Sequence, residues 1–91
     1  RRRTPDLVLD QHAVTAEAKR LDEATANAVT QNIRSARGQS ARVVIDGRQA
    51  GLDEATATRG LNRALRLYGL QLREVVILLG DGRAIGWGRG S

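Results

Sequence analysis

An alternation of apolar and polar residues near the start of the chain predicts a β-hairpin. Its apolar members lie on either side of a polar turn at 10–12; they are Leu7, Leu9, Val14, Ala16 and Ala18. A repeat of two residues is the side-chain period of a strand that buries one face. We therefore expect these apolar side chains to point inward and the alternate positions to form a polar face.

Two helices are predicted by apolar residues at helical spacing, each between a capping residue and a glycine. The first extends over 23–37, with Asp22 as its N-cap and Gly38 as its stop. The second begins after an Asp53 cap and ends before Gly69. Alanine contributes much of the apolar stripe of the first helix, which leaves room for close packing on a sheet.

Unbroken apolar runs predict a strand after each helix, at 41–46 and at 74–79. A run without polar interruption is typical of a strand that is covered on both faces. A turn at 80–82 then leads into a short segment at 83–87. The order hairpin, helix, strand, helix, strand predicts an α/β fold with a small mixed sheet, in which the later strands are parallel.

Length and composition limit the number of domains and the kinds of site that the chain can form. The 91 residues suffice for one small domain. We predict a basic leader at 1–4, a single domain at 5–87 and a flexible tail at 88–91. The absence of cysteine excludes disulfides and thiolate metal sites. No apolar run approaches the roughly 20 residues of a membrane-spanning helix, so we expect no membrane-spanning segment.

The charge of the chain is strongly basic. Fifteen Lys and Arg residues against ten Asp and Glu give a net charge of +5, and all but one of the cations are arginine. Guanidinium groups bind phosphate oxygens bidentately, which favours a nucleic-acid partner, although a plain solvated basic surface gives the same composition. The same two alternatives apply to Arg59, Arg63 and Arg66, which recur at helical spacing on the second helix.

The polar face of the hairpin brings acidic residues together. With the turn at residues 11 and 12, Asp6 faces Glu17, and Lys19 lies two residues further along the same face. Two carboxylates with Cβ atoms about 5 Å apart repel each other unless a cation lies between them. Magnesium is commonly held by one or two carboxylates, so the pair predicts a site for Mg²⁺ or another divalent cation beside Lys19.

Simpler interpretations of these residues stay open. Glu17 and Lys19 also suit an ordinary exposed strand edge without catalytic function. His12 is interpreted as a turn residue at the tip of the hairpin, and it matters only in an acid–base ribonuclease mechanism.

The spacing of the charged residues resembles a known nuclease motif. Pro5-Asp6, ten intervening residues and Glu17-Ala18-Lys19 follow the pattern of the PD-(D/E)XK nuclease superfamily. The resemblance implies a restriction-endonuclease-like core that lacks its usual N-terminal helix. It also implies that Asp6, Glu17 and the backbone carbonyl of Ala18 are metal ligands and that Lys19 is the catalytic lysine.

More narrowly, the chain resembles the C-terminal nuclease toxin domains of contact-dependent growth inhibition and related polymorphic toxins. The supporting stretches are 38–48, 51–52 and 79–82. The resemblance implies an endonuclease that cuts transfer RNA. Its substrate contacts are expected at Gln39, Asp46, Arg48, Arg59 and Arg63, the last two from the basic stripe of the second helix.

The same resemblance implies where the protein acts and what it binds. The domain is expected to be part of a secreted or cell-surface toxin that acts in the cytoplasm of the target bacterium. We expect a cognate immunity protein of acidic character, because a +5 nuclease must have its phosphate-binding face covered in the producing cell. The alternatives are a metal-independent ribonuclease toxin that uses His12 and a non-enzymatic basic module that binds nucleic acid or an acidic partner.

Overall fold

The computed structural model describes residues 16–89 of the chain. Four strands form one sheet in chain order: β1 (Glu17–Arg20), β2 (Arg42–Asp46), β3 (Glu74–Leu78) and β4 (Ala84–Gly88). Two helices and one 3₁₀ turn complete this part of the chain: α1 (Ala26–Arg37), α2 (Glu54–Tyr68) and η1 (Gly69–Gln71).

The sheet is mixed, as predicted. β1 pairs with β2 and β2 with β3 in parallel, whereas β4 is antiparallel to β3. Each parallel connection contains one helix, and right-handed crossovers along the order β1-β2-β3 place both helices on the same face. The α/β class and the parallel pairing of the later strands are therefore confirmed. The restriction-endonuclease-like detail stays a prediction, and the first strand of the predicted hairpin lies outside the described residues.

We call the two helices the helix layer. The core lies between the sheet and this layer. On β2 and β3, alternate residues are buried beneath it; they are Val43, Ile45, Val75 and Ile77. The residues between them, Val44, Val76 and Leu78, point to the opposite face, the open face, and are half-buried. The prediction that both strands are covered on two faces is therefore wrong for residues 16–89, because both helices pack on a single face.

The helix boundaries follow from side-chain caps. α2 begins after Asp53, as predicted, because this carboxylate accepts a hydrogen bond of 2.9 Å from the backbone N–H of Thr56. α1 begins at Ala26 rather than at 23, because Thr25 replaces the predicted cap Asp22 and accepts from the N–H of Ala28 at 3.0 Å. Both helices end at their predicted glycines. Neither described helix is long and apolar enough to cross a membrane.

β1 directs its charged residues toward the helix layer, the reverse of the prediction. The register pairs Glu17 and Lys19 with buried residues of β2, so these two side chains share the covered side, and Ala18 is exposed on the open face. Leu21 explains the difference. It lies two residues after Lys19, so the two side chains share one face of the strand, and Leu21 is only 1% exposed. Its backbone N–H donates to the carbonyl of Asp46 at 2.9 Å, which fixes it beside β2.

A close approach of the two helices is centred on Gly60. A Cβ atom at this position would lie 2.6 Å from Cβ of Val29 and 2.7 Å from the carbonyl oxygen of Ala26. The buried hydroxyl of Thr30 lies 3.0 Å from the carbonyl oxygens of both Gly60 and Ala26, so it links the two backbones. Glycine is therefore required here by space.

Gly60→Ala is expected to destabilise the domain by about 1–3 kcal/mol, because overpacking outweighs the roughly 1 kcal/mol that alanine contributes in a free helix. Urea denaturation measures the change in the free energy of unfolding. Thr58→Ala, at an exposed position of the same helix, is the control and should be neutral or slightly stabilising. A Gly60→Ala variant as stable as the parent protein would contradict the inferred crowding.

Candidate functional site

The two ends of the sheet differ in chemistry. We call the end where β1, β2 and β3 begin and β4 terminates the amino edge, and it includes Glu17, Arg42, Glu74 and Gly88. The opposite end, with Arg20, Asp46 and Leu78, is the carboxyl edge. Each helix returns the chain from the carboxyl edge to the amino edge, so both helices terminate at the amino edge.

Glu17 and Lys19 lie side by side on β1. Nζ of Lys19 is 3.6 Å from Oε2 of Glu17, and the two side chains keep 28% and 30% of their exposure. Both are on the side of the helix layer, but β1 is an outer strand of the described sheet. The structure therefore brings this predicted pair together at a position that solvent reaches.

The remaining members of the predicted metal site are distributed differently. Asp6 and His12 lie outside the described residues. Ala18 is on β1 between Glu17 and Lys19. Within residues 16–89, no three His, Asp or Glu side chains are grouped closely enough to hold a metal ion. The oxygen donors of Glu17 and the Ala18 carbonyl suit Mg²⁺ chemically, and a second carboxylate would have to come from Asp6.

Asp46 and Arg48 form a closed ion pair at the carboxyl edge, away from Glu17. Nε and Nη2 of Arg48 donate to the two carboxylate oxygens at 2.9 Å each, and its backbone N–H donates at 3.1 Å. The side-chain hydrogen bond from Arg48 lowers the pKa of Asp46 against the opposing effect of burial, and Arg20 lowers it further. Asp46 is therefore ionised at neutral pH, and its oxygens are engaged in ordering the turn after β2.

The other predicted substrate contacts do not converge with this pair. Gln39 follows α1 at the amino edge and is exposed, with its backbone N–H bonded to the Ala36 carbonyl at 2.8 Å. Arg59 and Arg63 are exposed on the outer side of α2, and neither has a carboxylate within 4 Å in the described part of the chain. The predicted contacts thus occupy three separate parts of the surface.

Sequence reasoning missed two arginine–aromatic pairs at the amino edge. The guanidinium of Arg37 lies 4.7 Å from the ring centre of Tyr68, and that of Arg89 lies 5.8 Å from Trp87. Nη1 of Arg37 donates to Gln71 at 2.7 Å, while its Nε is buried without a hydrogen-bond partner among the described residues. Only the second pair is close in sequence; the first forms between the ends of two helices.

Charge is distributed unevenly between the two edges, although Glu17 and Glu74 lie at the amino edge and Arg20, Arg48 and Arg83 lie at or near the carboxyl edge. The described acidic residues at the carboxyl edge and the adjoining helix starts are Asp22, Glu23, Asp46, Asp53, Glu54 and Asp81. Five arginines at the amino edge and the adjoining helix ends have no carboxylate within 4 Å among residues 16–89. They are Arg34, Arg37, Arg66, Arg73 and Arg89. Arg34, Arg37 and Arg66 lie in the last turns of their helices, where the helix dipole favours cations. The amino edge therefore carries a cationic surface.

Comparison with known proteins identifies the family. The model of the contact-dependent growth inhibition CdiA C-terminal domain matches residues 2–83, which include both helices and the first three strands. No curated protein and no solved structure matches the chain. The resemblance to contact-dependent growth inhibition toxins is confirmed, whereas membership of the PD-(D/E)XK superfamily stays a prediction. The chain belongs to the CdiA C-terminal domain family, the toxin domains of cell-surface proteins that are delivered into target cells in interbacterial competition.

Proposed function

We propose that the domain is a metal-dependent nuclease that hydrolyses phosphodiester bonds in RNA, with transfer RNA as its substrate class. The observation that carries this proposal is the 3.6 Å pairing of Glu17 and Lys19 at an outer strand that begins at the cationic amino edge. A carboxylate and an ammonium group so close together combine a ligand for a cation with a donor for phosphate oxygens.

In this proposal Glu17, Asp6 and the Ala18 carbonyl hold Mg²⁺, which when bound supplies Lewis-acid stabilisation of the phosphate charge. The ammonium group of Lys19 donates to a non-bridging oxygen of the scissile phosphate as negative charge develops there. Glu17 also keeps the Lys19 side chain in place by charge attraction.

The amino edge supplies the means to hold the RNA. Its unpaired arginines neutralise phosphates on either side of the scissile bond. Trp87 lies in the same register row as Glu17, three strand spacings or about 14 Å across the sheet. Its ring is half-buried against the core beside Arg89, and we propose that its exposed part contacts a flanking base. We propose that the Asp46–Arg48 pair acts only indirectly, by ordering the loop after β2.

Glu17→Gln is expected to lower Mg²⁺-dependent cleavage by about 100-fold or more, since it removes a charged ligand while keeping the side-chain shape. The assay incubates the domain with total RNA and with plasmid DNA, each with Mg²⁺ or with EDTA. Stability should change by less than about 1 kcal/mol, because the ion pair is partly exposed. Glu23→Gln, an exposed acid in the loop before α1, is the matched control.

Two results of this assay would reject the metal mechanism. Full cleavage in EDTA is one. The other is loss of cleavage in His12→Ala together with normal cleavage in Glu17→Gln, which would favour acid–base chemistry. Absence of cleavage of either nucleic acid under every condition would reject the nuclease proposal as a whole.

Lys19→Gln is expected to reduce kcat by about 100-fold and to leave KM nearly unchanged, because its donor acts on charge that develops during the reaction. Steady-state cleavage of transfer RNA separates the two constants. Arg20→Gln, the neighbouring cation on the open face, is the control and should keep the parental kcat. An increase in KM alone for Lys19→Gln would assign this residue to substrate binding.

The double variant Arg59→Gln/Arg63→Gln tests whether α2 contacts phosphates. Binding of transfer RNA in EDTA should weaken, and the slope of log affinity against log salt should become shallower by about 1.4, which corresponds to two phosphate contacts on a single strand. Arg83→Gln is the control, because this arginine is already paired with Glu54 at 3.0 Å and Asp81 at 2.7 Å. An unchanged slope would remove α2 from the RNA-binding surface.

A further inference from the structure

Two large apolar side chains project into solvent where α2 ends. Leu67 is 56% exposed and Leu70, in η1, is 93% exposed. They are three residues apart, so their Cα atoms lie within about 11 Å of each other. Side chains with this exposure contribute little to the core, and the part of the fold that the structure describes gives no reason for leucine at either position.

Arginines lie close to this leucine pair along the chain. Arg63 precedes Leu67 by one helical turn, Arg66 lies beside it in sequence, and Arg73 follows Leu70. All three arginines are exposed, and none has a carboxylate within 4 Å in the part of the chain that the structure describes. The surface formed by the 63–73 segment therefore exposes leucine and arginine side chains together.

The chemistry of this surface favours a protein partner over the other candidates. An apolar centre with a charged rim is the usual anatomy of a protein–protein interface, and a cationic rim fits a partner that presents carboxylates. RNA offers phosphates to the arginines, but bases stack on aromatic and guanidinium planes rather than on leucine. A second copy of the chain would oppose arginine to arginine across the contact.

Domains of this family pair with immunity proteins. We propose that Leu67 and Leu70 are the apolar anchors of the immunity-protein interface, and that Arg63, Arg66 and Arg73 form its cationic rim. An interface of ordinary size covers about 800 Å² of each partner, so it would extend from this surface over neighbouring arginines of the amino edge. The inference does not depend on nuclease chemistry, since it concerns binding alone.

Calorimetric titration of the full 91-residue chain with its cognate immunity protein tests this proposal. Leu70→Gln should weaken binding by about tenfold to a hundredfold, and Leu67→Gln/Leu70→Gln by more, because each variant removes apolar surface that is buried only in the complex. Arg66→Gln/Arg73→Gln should slow association and reduce its dependence on salt.

Controls at other surfaces make the result specific. Val44→Thr removes apolar surface from the open face, and Arg20→Gln removes a cation from the carboxyl edge; both should bind the immunity protein normally. Thermal unfolding should be unchanged in the leucine variants, as expected for exposed positions. Unchanged immunity-protein affinity in Leu67→Gln/Leu70→Gln overturns the proposal, and a loss of transfer RNA affinity in EDTA by that same variant would then assign the surface to RNA.

Discussion

Burial of a single face of the sheet beneath α1 and α2 determines how β1 is oriented and where Glu17 and Lys19 lie. Complete burial of a side chain such as Ile45, Ile77 or Leu21 contributes about 1.5–3 kcal/mol. A partly exposed ion pair such as Glu17–Lys19 contributes at most about 1 kcal/mol. The apolar residues therefore decide which way β1 faces, and Glu17 and Lys19 are carried to the covered side, where they meet at the rim of the helix layer.

The helical connections between the parallel strands also place many arginines and many acidic residues at opposite ends of the sheet. Because each helix returns to the amino edge, its C-terminus and the arginines near it collect at one end of the sheet, while N-caps and acidic turns collect at the other. At the acidic end, Arg48 and Arg83 are already engaged in ion pairs with Asp46 and Asp81. At the cationic end, Arg34, Arg66 and Arg73 have no carboxylate within 4 Å among the described residues. This suits a toxin domain of this family whether its ligand is a polyanion or an acidic protein.

Local signals in the sequence were sufficient for most of the fold. The Asp53 cap, the helix-ending glycines and the apolar strands act over a few residues, and these features were predicted correctly. The faces on which the β1 side chains lie were predicted wrongly. They depend on the burial of Leu21 in a core that strands distant in sequence build. Period-two spacing predicted the proximity of Glu17 and Lys19, but the contact of Arg37 with Tyr68 and the exposure of Leu70 arise from tertiary packing alone.

The position of Arg37 has a consequence for ligand recognition. The central carbon of its guanidinium lies 4.7 Å from the ring centre of Tyr68, and its Nε is buried without a hydrogen-bond partner among the described residues. Part of the dehydration that normally opposes contact between a cation and an anion was therefore completed when the chain folded. An anion that arrives at this guanidinium meets a partly dehydrated charge, which strengthens each hydrogen bond that it forms there.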